Sequence, residues 1–386
     1  MSWSARVGAR WPADQFLYRY SRGVDSGTGG SARVRMAEVA DACGVSRMTV
    51  SNAYNRPDQL SAGLRRRILD TAETLGYGGP SPAGRVLKRG RSDVLGVLLA
   101  EALPSAFGDP GTLSFLHGVT AGAAEGGLSL QLIPAGGPDA GSRVRDAAVD
   151  GLIAFAAADG DPALESALAR HLPTVVAGGP RGAGCACVTI DNRAAAASAA
   201  AHVADLGHGQ VAMVTWRLRG DGYCGEVDRR RLGTASFEVA RERTLGWLEV
   251  LGERRKLRGA PVLWEQPGNT AADGLHAGLA LLRRASGRPT AVLAATDVLA
   301  LGVLQAARGL GLEVPGEVSV VGFDDIEEAG RARPALTTVS QPLYEQGRDC
   351  ASLLIDAARL AAAGEATILH DTCLVVRSST GPAGPW

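Results

Sequence analysis

Apolar positions recur at helical spacing in three short segments between residues 34 and 77. The first helix is predicted over about Met36–Cys43, and Gly44-Val45-Ser46 reads as the turn after it. Ser46 is a good N-cap for a second helix running to about Asn55, because its hydroxyl can accept from free backbone N–H groups. After RPDQ, Ser61 caps a third helix in which Leu64, Ile68, Leu69, Ala72 and Leu75 share one face, and Gly76 closes it. Residues 1–32, rich in Arg, Ser and Gly, show no sustained period and are expected to form a flexible extension.

Beyond a Pro/Gly/basic connector at residues 80–92, the pattern changes. Short continuous apolar runs alternate with Ala-rich amphipathic stretches: VLGVLLA at 94–100, LSLQLI at 128–133, GLIAF at 151–155 and PTVVA at 173–177. The series resumes with QVAMVTW at 210–216, TAVLAAT at 290–296 and EVSVVGF at 317–323. Such strands between helices predict parallel sheets covered on both faces. Two groups, before and after about residue 208, predict two doubly wound subdomains. Ligands in that architecture bind at the carboxyl ends of the strands.

Composition sharpens this picture in one respect. The 386 residues carry 40 Lys/Arg and 40 Asp/Glu, so the formal net charge is zero. Residues 1–92, however, hold 15 Lys/Arg against 7 Asp/Glu, a balance of +8, which leaves −8 on residues 93–386. A basic head on an acidic body points to nucleic acid or an anionic surface, and the neutral sum excludes nothing about either. Within the head, charge clusters at Arg65–Arg66–Arg67 and at Arg85, Lys88, Arg89 and Arg91. Aromatic content of 5% with 51 Gly suggests tight turns and an aliphatic core. No uncharged apolar run approaches the ~18 residues needed to cross a membrane. The start, MSWSARVGARWPADQF, lacks the apolar stretch of a secretory signal, so a cytoplasmic location is expected.

Helix, glycine-containing turn and second helix form the layout of a helix-turn-helix. In MAEVADACGVSRMTVSNAYN, the set Val39, Ala40, Val45, Val50 and Ala53 can face inward. Arg47, Met48, Ser51, Asn52 and Asn55 then form one exposed stripe of the second helix. A helix of this width fits the DNA major groove, where Arg pairs with guanine and Asn with adenine. Ser46 and Thr49 suit phosphate contacts that fix register without reading sequence. The competing reading is a structural three-helix cap, and the basic balance of the head weighs against it.

The segment VRMAEVADACGVSRMTVSNAYNRPDQLSAGLRRRILDTAETLGY resembles the headpiece of LacI/GalR-type transcriptional regulators. The set Val39-Ala40, Gly44-Val45-Ser46, Thr49-Val50-Ser51 and Asn55 carries that resemblance. RVLKRGRSDVLGVLL then looks like the family's hinge entering the first effector-domain strand. The resemblance implies a hinge helix that forms when a dimer sits on DNA, with a leucine wedged into the minor groove. The matching position is Leu87, with Arg85, Lys88, Arg89 and Arg91 placed to meet phosphates. Two departures stand out: the stretch from Tyr77 to Leu87 is one residue longer than the common spacing, and Gly84 replaces the usual alanine.

The resemblance extends over about residues 34–380, through TAVLAATDVLALGVLQAARGLGLEVPGEVSVVGFDDIEEAG and RPALTTVSQPLYEQG. It implies a fold like that of periplasmic sugar-binding proteins, two Rossmann-like subdomains with a ligand cleft between them. By motif match, Arg243 would grip a ligand hydroxyl or carboxylate, Asp324 would bind a hydroxyl, and Asp191 would supply the first subdomain's polar contact. Thr296 stands where sugar-binding members have Asn, which removes an amide from the pocket. Without the resemblance, Asp324 and Asp325 could equally cap a turn, and Arg243 could be a surface ion pair.

Other motifs carry less. Gly220-Asp-Gly222-Tyr-Cys-Gly225 satisfies GxGxxG, but the EVDRRRLG that follows is too charged for the buried helix of a dinucleotide site, and a loop near the cleft is expected. His202 and His208 lie six apart, off one helical face, and form no ligand pair. The six cysteines lack zinc spacing and read mostly as buried small hydrophobes. No cofactor, metal or catalytic constellation is expected. The expected function is a dimeric, DNA-binding repressor with an operator as one partner. A small-molecule effector (sugar, nucleoside or related metabolite) is the other. The rival is a small-molecule binder or enzyme on the same sheets, whose head serves only assembly. No leucine-heptad tail follows Arg377 to support a tetramer.

Overall fold

A computed structural model of the chain describes residues 34–80, 86, 89–137, 139–253 and 259–384. The predicted extension at 1–32 and the hinge positions Arg85, Leu87 and Lys88 lie outside the described residues. The chain divides into two compact units, one ending at Gly90 and the other beginning at Arg91.

In the first unit, helices α1 (Met36–Cys43), α2 (Arg47–Asn55) and α3 (Ala62–Leu75) enclose a small core of Val39, Ala40, Val50, Ala53, Ile68 and Ala72. The caps are those the sequence predicts. Ser46 and Ser61 accept from Thr49 N–H and Leu64 N–H, and Gly44 and Gly76 end α1 and α3 in the left-handed region. Val45 is only half-buried and Leu75 is exposed, so the predicted apolar face is narrower than its spacing suggested.

The second unit holds two sheets. The first, all parallel, has the order β12-β5-β4-β3-β1-β2, with β1 Val94–Leu99, β2 Ser129–Pro134, β3 Gly151–Phe155, β4 Thr174–Ala177, β5 Ala186–Ile190 and β12 Thr367–His370. The second runs β13-β11-β10-β9-β6-β8-β7. Its strands are β6 Val211–Trp216, β7 Gly225–Glu226, β8 Val262–Gln266, β9 Ala291–Ala294, β10 Ser319–Asp324, β11 Thr337–Ser340 and β13 Cys373–Val375. Only β7 and β13, at its two edges, are antiparallel.

The predicted strand runs before and after about residue 208 fall in separate sheets, but the flanking helices and the C-terminal strands do not follow that division. The chain first crosses between sheets after β5, because helix Asn192–Asp205 packs against helix Glu238–Glu253 beside the second sheet. It returns after β11, when helix Leu343–Ile355 packs against helix Pro110–Glu125 and the first sheet. It crosses a third time between β12 and β13. Each subdomain is therefore discontinuous in sequence, and apolar periodicity carries no record of which sheet a strand joins.

Glycine does more here than make turns. A Cβ on Gly118 would lie 1.8 Å from Tyr344 O, one on Gly347 2.1 Å from Phe115 O, and one on Gly246 2.2 Å from Arg193 O. Helix pairs thus meet backbone to backbone, and the cores fill with Ala, Val and Leu around few aromatics. Cys43, Cys185, Cys187 and Cys350 are buried as expected, whereas Cys224 and Cys373 are exposed.

Candidate functional site

In the headpiece, Ser46 places its hydroxyl on Thr49, with Oγ to Oγ1 at 2.9 Å, at the start of α2. Arg47 and Met48 are exposed, and Met48 is 66% accessible although it is the largest apolar side chain of the helix. Ser51 and Asn52 are half-buried along the same stripe. Asn52 Nδ2 donates to Gln59 Oε1 at 3.2 Å, and Asn55 Nδ2 to Ser51 O at 3.0 Å. Both amides are thereby held in fixed orientation on the helix surface. The Arg65–Arg66–Arg67 run divides by role. Arg65 donates to Ala53 O at 3.2 Å and Arg67 to Cys43 O at 3.2 Å, which staples α3 to the last turns of α2 and α1. Arg66 is exposed.

The second unit has a cleft between its two sheets, lined by residues of both. Both sheets reverse strand order beside their first strand, between β1 and β3 and between β6 and β9. Crevices form at such switch points, outside the carboxyl ends of the strands. The lining follows that rule: Leu99–Glu101 at the end of β1, Phe155 and Ala156 at the end of β3, Trp216 and Arg217 at the end of β6, Thr296 after β9, and Asp324 at the end of β10.

Arg243 is buried at the cleft wall. Its Nε donates to Asn192 Oδ1 at 2.9 Å, and its Nη1 donates to Ala295 O at 2.6 Å and Asp324 Oδ1 at 3.3 Å. Its guanidinium lies 3.5 Å from the centre of the Phe323 ring. The surface-ion-pair alternative for Arg243 is therefore excluded by burial. Burial lowers the pKa of Arg243, with Asp324 opposing. Burial pushes the Asp324 carboxyl up to about 8, against the pull of Arg243. Gln341 also donates to Asp324 Oδ1, at 2.6 Å. Asp324 and Asp325 have φ of 116° and 59°, a strained turn held by Asp297. Asp297 is completely buried and accepts from Ile326 N–H at 2.9 Å and Thr338 Oγ1 at 2.5 Å.

Asp191 is placed elsewhere. It is exposed and caps helix Asn192–Asp205 by accepting from Ala194 N–H at 3.0 Å, and the residue that lines the cleft is its neighbour Asn192. A carboxylate at an N-cap is held by the helix's free N–H groups, which turns it from the cleft. Thr296 lines the cleft and caps helix Asp297–Gly309. The amide missing at Thr296 comes from Asn269, which accepts from Thr296 Oγ1 at 2.5 Å and donates to Asp109 Oδ2 at 3.4 Å across the cleft. Asn269, Arg217, Glu101, Asp109 and Gln341 are cleft residues that sequence reasoning missed. Nothing in their local pattern marks them, because four lie in loops beyond strands and Asp109 is the N-cap of helix Pro110–Glu125.

Residues Gly220–Cys224 form a loop, Gly225 opens β7, and none of them lines the cleft. Arg231 pins the loop by bonding Asp221 at 2.8 and 3.0 Å and the fully buried Glu265 at 2.5 and 2.9 Å. His202 and His208 bond Thr380 Oγ1 and Gly381 O, each at 3.0 Å, and anchor the C-terminal segment. Among the described residues no group of three metal-ligating side chains occurs, and no helix is long and apolar enough to cross a membrane.

Residues 35–79 match the model of bacterial regulatory proteins of the lacI family, and residues 200–380 match the periplasmic binding protein-like domain. The HTH-type transcriptional regulator Rv3575c of Mycobacterium tuberculosis is 38% identical over 91% of this chain and 98% of its own length. The chain belongs to the LacI family of transcriptional regulators. The regulator IpsA of Corynebacterium glutamicum is 41% identical over 80% of the chain and 86% of its own length. The crystal structure of a LacI-family regulator from C. glutamicum superposes with a TM-score of 0.67 at 34% identity, covering 92% of this chain and 100% of that one. The complex of the regulator CelR with cellobiose covers 90% of this chain and 100% of that one, at a TM-score of 0.63 and 26% identity. This LacI-family chain is accordingly a DNA-binding transcriptional regulator, with a headpiece and a periplasmic-binding-protein-like domain.

Proposed function

We propose that this LacI-family regulator is a dimeric repressor that binds a pseudopalindromic operator and releases or grips it in response to a small molecule in its cleft. The observation that carries this reading is the cleft itself. It lies at the switch points of both sheets, and Arg243 and Asp324 are buried side by side in its wall. A sugar, nucleoside or related metabolite there would touch both subdomains and favour one of their arrangements by its differential affinity. The headpiece supplies the other half. Arg47, Met48, Ser51, Asn52 and Asn55 would meet base edges, and Ser46 and Thr49 would meet phosphates. Arg85, Leu87 and Lys88 are assigned to the hinge on sequence alone. A C2 dimer would set two such helices a helical turn apart.

The test is a titration of the full-length protein onto pseudopalindromic sites upstream of its own and neighbouring genes, with and without candidate effectors. Affinity well above that for random DNA, with log K falling steeply with log salt, is expected. Removal of residues 1–92 should abolish DNA binding and leave ligand binding intact. Equal affinity for selected and random DNA under every condition overturns the reading.

A further inference from the structure

Two guanidinium groups face the cleft, and each already has a carboxylate. Arg243 is matched by Asp324 in the second subdomain. At the opposite wall Arg217 reaches across to the first subdomain, with Nη2 3.5 Å from Glu101 Oε1 and Nη1 donating to Ala100 O at 3.3 Å. Arg217 is held firmly for a residue in a loop. Its φ is +24°, its own N–H donates to Gln266 O at 2.8 Å, and its guanidinium lies 4.2 Å over the Phe237 ring. The next residue, Leu218, donates its N–H to the buried Glu265 at 2.8 Å, so the backbone that aims Arg217 is fixed by the Arg231–Glu265 pair.

Arg217 Nε is buried and has no hydrogen-bond partner. A buried donor left unmade costs about 1–3 kcal/mol, which marks a place where a ligand oxygen would be welcome. The charge around that donor is balanced. Glu101, Asp109 and Asp324 line the cleft against Arg217 and Arg243, so the lining has no surplus of positive charge. Asp109 accepts from Gly111 N–H, Thr112 Oγ1 and Asn269 Nδ2 at 3.1, 2.8 and 3.4 Å. A phosphate entering beside Arg217 would lose its hydration next to the Glu101 carboxylate and find that guanidinium already paired. A hydroxyl could accept from Nε and donate to Glu101 without that cost.

Taking the cleft as the effector site, we propose that Glu101 and Arg217 form a charge-balanced specificity pair. Arg217 Nε donates to an uncharged ligand oxygen, and Glu101 cancels the guanidinium charge so that phosphorylated forms of the same compounds are refused. The test is thermal melting of the full-length protein with paired probes: glucose and glucose 6-phosphate, ribose and ribose 5-phosphate, adenosine and AMP. The parent, Glu101→Gln and Arg217→Met are compared. The parent should be stabilised by an uncharged member and not by its phosphorylated counterpart. Glu101→Gln should tighten the phosphorylated counterpart on the order of tenfold. Arg217→Met should weaken the uncharged one by a similar factor, with the unliganded melt of each variant serving as the folding control. A parent that binds phosphorylated probes as well as uncharged ones, or a Glu101→Gln that keeps the parent's preference, overturns the pair and leaves the effector reading standing. No response to any probe in any of the proteins overturns the effector reading itself, and the inference with it.

Discussion

Asp297 offers the sharpest test of how the cleft is held together. Its carboxylate touches no cleft space, yet it fixes the strained turn that presents Asp324. Replacement by Ala removes the acceptor of Ile326 N–H, bonded at 2.9 Å, and of Thr338 Oγ1, bonded at 2.5 Å. Each buried donor left unsatisfied costs about 1–3 kcal/mol, and two of them sum to about 2–6 kcal/mol. Burial disfavours the ionised carboxylate and pushes Asp297 up to about 6, so removing the charge returns part of that cost. A net loss of about 3 kcal/mol follows, equivalent to about 5 °C in Tm for a unit of this size. Asp297→Asn keeps an acceptor for one of the two donors and should fall about midway. The assay is calorimetric melting of the full chain at pH 7, with the transition of the second unit followed separately from that of the headpiece. A change of less than about 2 °C for Asp297→Ala would refute the claim that these two bonds hold the turn.

Asp324 predicts a pH dependence. Its folded pKa, raised by burial to about 8, lies above its unfolded value near 4, so the native state binds the proton more tightly. That stability is complete below pH 4 and is lost as pH rises towards 8; melting curves should show a falling Tm across this window, flattened by Asp324→Asn. Arg67→Met removes the bond to Cys43 O that ties α3 to α1, which should lower headpiece stability by about 1 kcal/mol and leave the second unit's transition in place. Asn52→Ala should change base preference in a binding-site selection, and an unchanged selected sequence would remove Asn52 from the reading surface. Leu87→Ala should weaken operator binding while leaving ligand-induced melting shifts intact; equal operator affinity would remove the wedge assignment.

Much of this was legible in the sequence because it is local. The caps at Ser46, Ser61, Gly44 and Gly76 sit where a hydroxyl or a left-handed residue is needed within three positions of a helix end. The central strands stand out because they are buried on both faces and so read as unbroken apolar runs. Most strands that escaped notice fail that condition: β12 and β13 are edge strands with mixed exposure, β7 spans two residues, and β8 carries Glu265 and Gln266, whereas β5 and β11 are buried but short and interrupted by threonine or serine. The cleft divides in the same way. Arg243 and Asp324 fall in motifs that a family shares, whereas Arg217, Glu101 and Asn269 acquire meaning only when three crossings of the chain bring the ends of two sheets face to face. Charge shows the difference most clearly. Counting by segment locates a basic head, but the polar pairs of the cleft join residues 116 apart, Glu101 with Arg217, and 81 apart, Arg243 with Asp324. Such matching is set by tertiary structure, and no local segment of the chain carries a record of it.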